Sequence, residues 1–174
     1  ARGKGLIDLL EAFSVFAQKH LNTTLLIIGG VLHKEHNKVL SNFWRKAEEL
    51  KIKEKIFITG LVDNVQDYLA IADVYIHPSY REGIPRAVLE AMSLEKVVIA
   101  TNIRGASEIL EGEFNGILYK KGNVKELSRA IERVSLMTQK QRSDFGFLAR
   151  KRVLDKYTEK AYINRQIGLL SEFD

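Results

Sequence analysis

The sequence of 174 residues contains no cysteine. That removes disulfides and thiolate metal sites, and it suits a reducing compartment. Only two prolines occur, Pro78 and Pro85, and there is one tryptophan. No apolar run approaches the roughly 20 residues that span a bilayer. The opening Ala1-Arg2-Gly3-Lys4-Gly5 lacks the apolar core of a secretory signal, so the chain reads as cytosolic. No low-complexity tract, internal repeat or long linker interrupts it. With 45% apolar and 28% charged residues it has the makeup of an ordinary globular domain. Its length argues for one domain over 1–174.

Positive charge is concentrated late. Residues 120–174 hold 13 Lys and Arg against 7 Asp and Glu, whereas residues 1–119 hold 14 against 15. A basic segment can meet nucleic acid or an anionic membrane. Here acids are interspersed at helical spacings, the pattern of a solvated helical face. No aromatic–basic stripe or nucleic-acid module accompanies it, so a nucleic-acid partner is not expected.

Helical and strand patterns alternate. Leu6, Leu9, Leu10, Phe13, Phe16 and Ala17 predict an amphipathic helix over about Lys4–His20. Leu25-Leu26-Ile27-Ile28, ending at Gly29-Gly30, has the continuous apolar character of a strand covered on both faces. A helix over Lys34–Leu50 and a strand at Ile56–Gly60 follow. Asp63 is the expected cap of a short helix through Ile71. Strands at Val74–Ile76, Val97–Ala100 and Gly116–Tyr119 enclose helices over Pro85–Leu94 and Ala106–Leu110. Asn123 caps a helical region that continues to the end. Five strands alternating with helices predict a doubly wound α/β fold, whose ligands bind at the carboxyl ends of the strands.

Both prolines lie where a strand yields to a helix. In Tyr80-Arg81-Glu82-Gly83-Ile84-Pro85-Arg86, Gly83 gives backbone freedom and Pro85 suits the first helical position. Amides at that helix start favour a phosphate, and Arg86 can add a charged contact. Glu90 lies about 7.5 Å further along the axis than Pro85, so Glu82 and Glu90 flank an anion site rather than share a metal. The plainer alternative makes Glu82 a solvated loop acid and Glu90 an i+4 partner of Arg86, the poorer order for a helical pair. His77 is read as a packed strand-end residue, His20 and His36 as surface residues, and His33 as a loop residue or pocket neighbour. Phe43 and Trp44 are assigned to helix packing. Glu108 is a candidate for the pocket rim or a helix N-terminal acid. No His, Asp or Glu cluster has convincing metal spacing.

These residues resemble the retaining family-four, or group 1, glycosyltransferases with the GT-B fold. Glu82 through Glu90 match the family's paired-glutamate motif. Lys4-Gly5-Leu6 with Leu10-Glu11-Ala12-Phe13, Leu26-Ile27-Ile28-Gly29-Gly30, Ile58-Thr59-Gly60-Leu61-Val62, Ala72-Asp73-Val74-Tyr75-Ile76-His77-Pro78-Ser79, Leu89-Glu90-Ala91-Met92, Val98-Ile99-Ala100-Thr101 and Asn115-Gly116-Ile117-Leu118 resemble its other blocks, in order. The likeness covers roughly residues 4–160. It implies a Rossmann-like doubly wound parallel sheet forming the C-terminal half of a GT-B enzyme, the half that binds the nucleotide-sugar donor.

By resemblance, Glu82 is the catalytic residue, contacting donor-sugar hydroxyls near the reacting carbon, and Glu90 holds the ribose. Lys4 neutralises the diphosphate, with Arg86 adding charge. Amides around Gly83 and Ile84 orient sugar and phosphate, and backbone at Leu61 and Val62 meets the base. No metal or cofactor is implied. The reaction implied is sugar transfer to an acceptor hydroxyl with retention. The Ile84-Pro85-Arg86 turn resembles members that build bacterial surface polysaccharides on lipid-linked acceptors, which implies peripheral attachment at the inner membrane surface.

Two departures qualify the match. The family places a strand and an arginine several residues before the lysine–glycine pair, and Arg2 is too near Lys4 to take that role. The acceptor-binding N-terminal domain is also missing. The chain is therefore expected to be a fragment of a longer enzyme, binding donor without transferring sugar efficiently. The competing expectations are a non-catalytic nucleotide- or phosphate-binding module and a nucleotide-sugar epimerase of the same architecture.

Overall fold

In a computed structural model of the chain, residues 2–30, 37–110 and 115–170 are described. A 3-10 turn at Arg2–Lys4 opens the fold and leads through Gly5 into α1 (Leu6–Lys19). There follow β1 (Leu25–Ile27), α2 (Asn37–Glu49), β2 (Ile56–Ile58), α3 (Val65–Ile71) and β3 (Val74–His77). Then come α4 (Arg86–Ser93), β4 (Val97–Thr101), α5 (Arg104–Ile109) and β5 (Ile117–Tyr119). Helices α6 (Val124–Ser135), α7 (Gln139–Lys156) and α8 (Glu159–Leu170) complete the described residues. The strands and helices fall in the expected alternation, with the start of the second helix lying outside the described residues.

Among the described residues the named strands pair only in parallel, and one isolated antiparallel bridge joins Gly29 to Gly60. β1 pairs with β2 in the register Leu25↔Ile56 to Ile27↔Ile58, and β4 lies between β3 and β5, with Ile76↔Ile99 and Ile99↔Ile117. The two ladders are separate: among the described residues no strand pairing links β1 to β3.

Strand β4 shows how the sequence sorts itself into layers. All five of its residues, Val97 to Thr101, are buried, as its unbroken apolar character requires. Side chains alternate across a strand, so Val97 and Ile99 join a core with Leu10 and Phe13 of α1, Phe43 of α2 and Leu127 of α6. Val98 and Ala100 join the opposite core with Val88 and Met92 of α4, Ile109 of α5 and Val153 of α7. Helices therefore cover both faces, as in a doubly wound fold. Burying one such aliphatic side chain contributes about 1.5–3 kcal/mol.

Local signals set several helix starts. The Asn123 side chain accepts from the Glu126 amide at 3.1 Å, the expected cap of α6. Thr138 and Gln141 form a reciprocal capping box at α7, with contacts of 3.2 and 2.8 Å. The predicted cap at Asp63 is corrected by one residue. Asn64 occupies the cap of α3 without a side-chain bond to the backbone, its amide going instead to Asp67 at 2.9 Å. Pro85 likewise sits at the cap rather than the first helical position, with extended backbone at ψ 100°, and α4 begins at Arg86. Helix α5 starts at Arg104, two residues earlier than expected, placing Glu108 near its C-terminal end.

Candidate donor site

The carboxyl end of β3 delivers His77, Pro78 and Ser79 to one point, and the N-terminal turn is fastened there. The Tyr80 amide donates to the Gly3 carbonyl at 2.8 Å, and Ser79 Oγ reaches the same oxygen at 3.4 Å. Gly5 makes this approach possible. Its φ of +63° is left-handed, and any Cβ there would overlap the Pro78 carbonyl oxygen. Close backbone contact thus places Lys4, distant in sequence, against the loop after β3.

Glu82 is the hub of the resulting network. Its Oε1 accepts from Lys4 Nζ at 2.6 Å and from Ser79 Oγ at 2.7 Å, and His77 Nε2 lies 3.8 Å away. Partial burial raises the Glu82 carboxyl, but the hydrogen bonds from Lys4 and Ser79 and the nearby positive charge outweigh it. The net effect holds the group below the usual carboxylate range. The Glu82 side chain is 22% exposed and that of Lys4 67% exposed, so the ammonium can leave its partner for a ligand. The solvated-acid alternative for Glu82 does not describe this geometry.

Behind Glu82, His77 is 13% exposed and accepts or donates at Nδ1 to the Tyr75 hydroxyl, 3.2 Å away. Among the described residues its buried Nε2 has no hydrogen-bond partner. Burial lowers the His77 pKa, opposed by Glu82 and reinforced by Lys4, so the ring is neutral near pH 7. Burial also raises Tyr75, with the carboxylates of Glu90 and Glu82 adding to it. Tyr75, His77 and Glu90 line one cavity.

Glu90 is exposed in the second turn of α4, and among the described residues it makes no ion pair with Arg86. A cavity of about 1290 Å³ runs beside these elements, and Lys4, Glu90, Leu61 and Val62 all line it. Glu82 is not itself a lining residue, but it is hydrogen-bonded to Lys4 and Ser79, which are. Gly83, Ile84 and Arg86 are exposed on the adjoining turn and do not line the cavity. Gly105 supports that turn from below, since a Cβ there would overlap the Gly83 carbonyl oxygen.

The other candidates take no part in the Lys4–Glu82–Ser79 network, although Phe43 and His20 also line the cavity. Glu108 pairs with Arg104 at 3.0 Å, and its carbonyl accepts from Arg152 and Tyr157, away from the cavity. Phe43 is buried edge-on to Trp44 at 5.3 Å, a packing role. His20 stacks on Phe16 at the end of α1. His33 and His36 lie outside the described residues. Sequence reasoning missed Ser79 as a Glu82 partner, although a hydroxyl three residues ahead of a loop carboxylate is a recognisable spacing. It also missed Tyr75, and Asp8, which accepts from the Tyr80 hydroxyl. Among the described residues no group of three or more His, Asp or Glu could hold a metal ion.

The sequence profile of the group 1 glycosyl transferases matches residues 1–152. The chain belongs to this family. It is 28% identical over 159 residues to the capsular polysaccharide biosynthesis glycosyltransferase CapM of Staphylococcus aureus, spanning 91% of this chain and 40% of CapM. It is 29% identical over 168 residues to the Campylobacter jejuni N,N'-diacetylbacillosaminyl-diphospho-undecaprenol alpha-1,3-N-acetylgalactosaminyltransferase, spanning 95% of this chain and 41% of that enzyme. The structure of Anabaena HepE in complex with UDP superposes with a TM-score of 0.85 at 23% identity, over 100% of this chain and 46% of HepE. The chain thus spans about two fifths of the curated relatives it matches. Its fold is the Rossmann-like C-terminal half of the GT-B architecture.

Proposed function

We propose that this chain is the donor-binding domain of a retaining glycosyltransferase that moves a sugar from a nucleotide sugar to an acceptor hydroxyl. The observation that carries the reading is the Lys4–Glu82–Ser79 network at the carboxyl end of β3, facing a cavity also lined by Glu90, Leu61 and Val62. Ligands of open parallel sheets bind in this position. In this reading Glu90 accepts hydrogen bonds from the ribose, and the backbone at Leu61 and Val62 meets the base. The turn at Gly83 and Ile84 orients the sugar against Glu82.

Transfer breaks the bond from the anomeric carbon to the diphosphate and forms one to the acceptor oxygen, whose proton passes to the departing diphosphate. Negative charge grows on the departing diphosphate, where Lys4 and Arg86 supply compensating charge without a metal. Glu82, held ionised by Ser79 and Lys4, remains an acceptor for sugar hydroxyls as positive charge develops on the ring. The acceptor domain belongs to the remainder of a longer enzyme. The Ile84-Pro85-Arg86 turn and the names of the CapM and Campylobacter relatives support a polysaccharide or glycolipid product on a lipid-linked acceptor. No described helix is long and apolar enough to cross a membrane. The reading places the enzyme in the cytoplasm, attached peripherally through surfaces such as α7, where Phe147 and Leu154 are exposed among basic residues.

Calorimetric titration of the chain with UDP, GDP and their sugars, in the presence of EDTA, tests this function. Binding is expected to weaken about tenfold or more in Glu90→Ala and in Lys4→Ala, each substitution removing a charged hydrogen bond. Binding that ignores both substitutions would refute the assignment of the site.

A further inference from the structure

Glu82 presents one oxygen to three donors and satisfies only two of them. Its Oε1 accepts from Lys4 Nζ at 2.6 Å and from Ser79 Oγ at 2.7 Å. His77 Nε2 stands 3.8 Å off, too far for a hydrogen bond. The three neighbours are not held alike. Ser79 is fully buried, so its hydroxyl is a fixed anchor, whereas the exposed Lys4 side chain is a movable one. The His77 ring is fixed from behind, with Nδ1 3.2 Å from the Tyr75 hydroxyl two residues earlier in β3.

Among the described residues Nε2 has no partner, and solvent does not reach it. A buried ring nitrogen in that state is uncommon, because nothing offsets its lost hydration. The carboxylate in front of it favours the tautomer with the proton on Nε2, leaving Nδ1 to accept from Tyr75. The ring therefore aims an unused N–H at a carboxylate oxygen about 1 Å beyond its reach.

We propose, on the donor-site reading above, that His77 is a positioning residue that takes hold of Glu82 when Lys4 turns to the donor diphosphate. In the unliganded chain Lys4 keeps the carboxylate out of reach of the ring. A diphosphate carries more charge than the carboxylate and draws the ammonium away. Pivoting on Ser79, Oε1 then closes the remaining distance onto Nε2–H. Only hydrogen bonds are exchanged, and Glu82 stays ionised throughout. The carboxylate gains a donor at the moment it loses one, so it neither competes for Lys4 nor swings toward the diphosphate. Its second oxygen is held in place for sugar hydroxyls.

The ring has few rivals for this role. Its own strand offers Tyr75, the following loop Ser79 and Glu82, and the N-terminal turn Lys4. From α4 the charge of Glu90 reaches Tyr75. Across the ladder β4 sets Ala100 opposite His77, and the Thr101 hydroxyl lies 3.5 Å from the His77 carbonyl rather than the ring. Burial and Lys4 both lower the His77 pKa while Glu82 opposes them. Withdrawing Lys4 removes one of the two influences that keep the ring neutral.

Nuclear magnetic resonance of the His77 ring nitrogens, followed through a pH titration, tests the handover. The forms compared are the parent, Lys4→Met, Glu82→Gln and the double variant. Lys4→Met keeps a long side chain and removes the charge, imitating departure of the ammonium without any nucleotide. It should raise the His77 midpoint by about one pH unit or more. In the Glu82→Gln background the same substitution should raise it less than half as much. An equal rise in both backgrounds would reflect only the loss of a nearby charge and would overturn the proposal, as would no rise at all. UDP added to the parent with EDTA should raise the midpoint as Lys4→Met does, and again less than half as much in Glu82→Gln. Bound UDP with an unmoved midpoint overturns the handover alone, whereas UDP that fails to bind refutes the donor reading and the handover with it. His77→Leu should weaken UDP binding about tenfold, and His77→Gln, whose amide can donate in place of Nε2, should recover most of that loss. Parental affinity in His77→Leu overturns the proposal.

Discussion

Replacing Gly5 by alanine probes the contact on which the donor site is built. Gly5 holds φ at +63°, a conformation that costs an L-residue about 1–2 kcal/mol. The added methyl would also overlap the Pro78 carbonyl oxygen and sit 2.8 Å from its carbon, both backbone atoms that cannot swing aside. Adding displacement of the loop after β3, the expected loss is about 3 kcal/mol in all. For a domain of this size that corresponds to roughly 6–12 °C in Tm. The matched control is Gly3→Ala, where a Cβ meets nothing within 4 Å, and this variant should unfold within about 0.5 kcal/mol of the parent. Urea unfolding of the three proteins measures both values, and donor titration reports the site. Gly5→Ala should weaken donor binding beyond its effect on stability, since Lys4 can no longer reach Glu82. Equal stability and equal donor affinity of the Gly5 and Gly3 variants would refute the claim that this approach positions Lys4.

Acidification should act through Glu82 and His77. Both are held below their ordinary values in the folded protein, so the unfolded chain binds protons more readily and stability falls as pH falls. The His77 contribution is complete above about pH 6.5 and declines below it, whereas that of Glu82 is complete above about pH 4.5 and is lost as pH drops through its depressed value. Urea midpoints from pH 8 to pH 3 should therefore fall less steeply over the lower range in Glu82→Gln and over the upper range in His77→Gln, and unchanged slopes would remove the electrostatic account. Gly105→Ala should lift the Gly83 turn, because the new Cβ would lie 2.6 Å from the Gly83 carbonyl carbon. Donor affinity should drop about tenfold or more while the far-ultraviolet spectrum is retained, and full affinity would show that the turn does not orient the donor.

Much of the fold was legible because its signals are local. The apolar run Val97-Val98-Ile99-Ala100 identified a strand covered on both faces, since only such a strand has no polar side to show. Asn123 announced α6 because an amide side chain satisfies an otherwise unpaired helix amide within one turn. The errors were equally local. Asp63 and Asn64 are both competent caps, and a one-residue choice between them depends on the incoming loop. Pro85 at the cap rather than the first turn reflects the same limit.

The paired glutamates, the lysine–glycine start and the order of strand and helix were thus determined by the sequence alone. Together they were enough to point to the family before any contact was known. Only the tertiary structure brought Lys4 to Glu82, because that meeting depends on a left-handed glycine resting against a carbonyl more than seventy residues away. It alone added Ser79 and His77 to the carboxylate and left Gly83, Ile84 and Arg86 off the cavity wall. It alone separated β1 from β3 into two ladders, because pairing between strands is a property of neighbours in space. Strand character is written in each segment, whereas which edge remains open is decided only when the sheet is assembled.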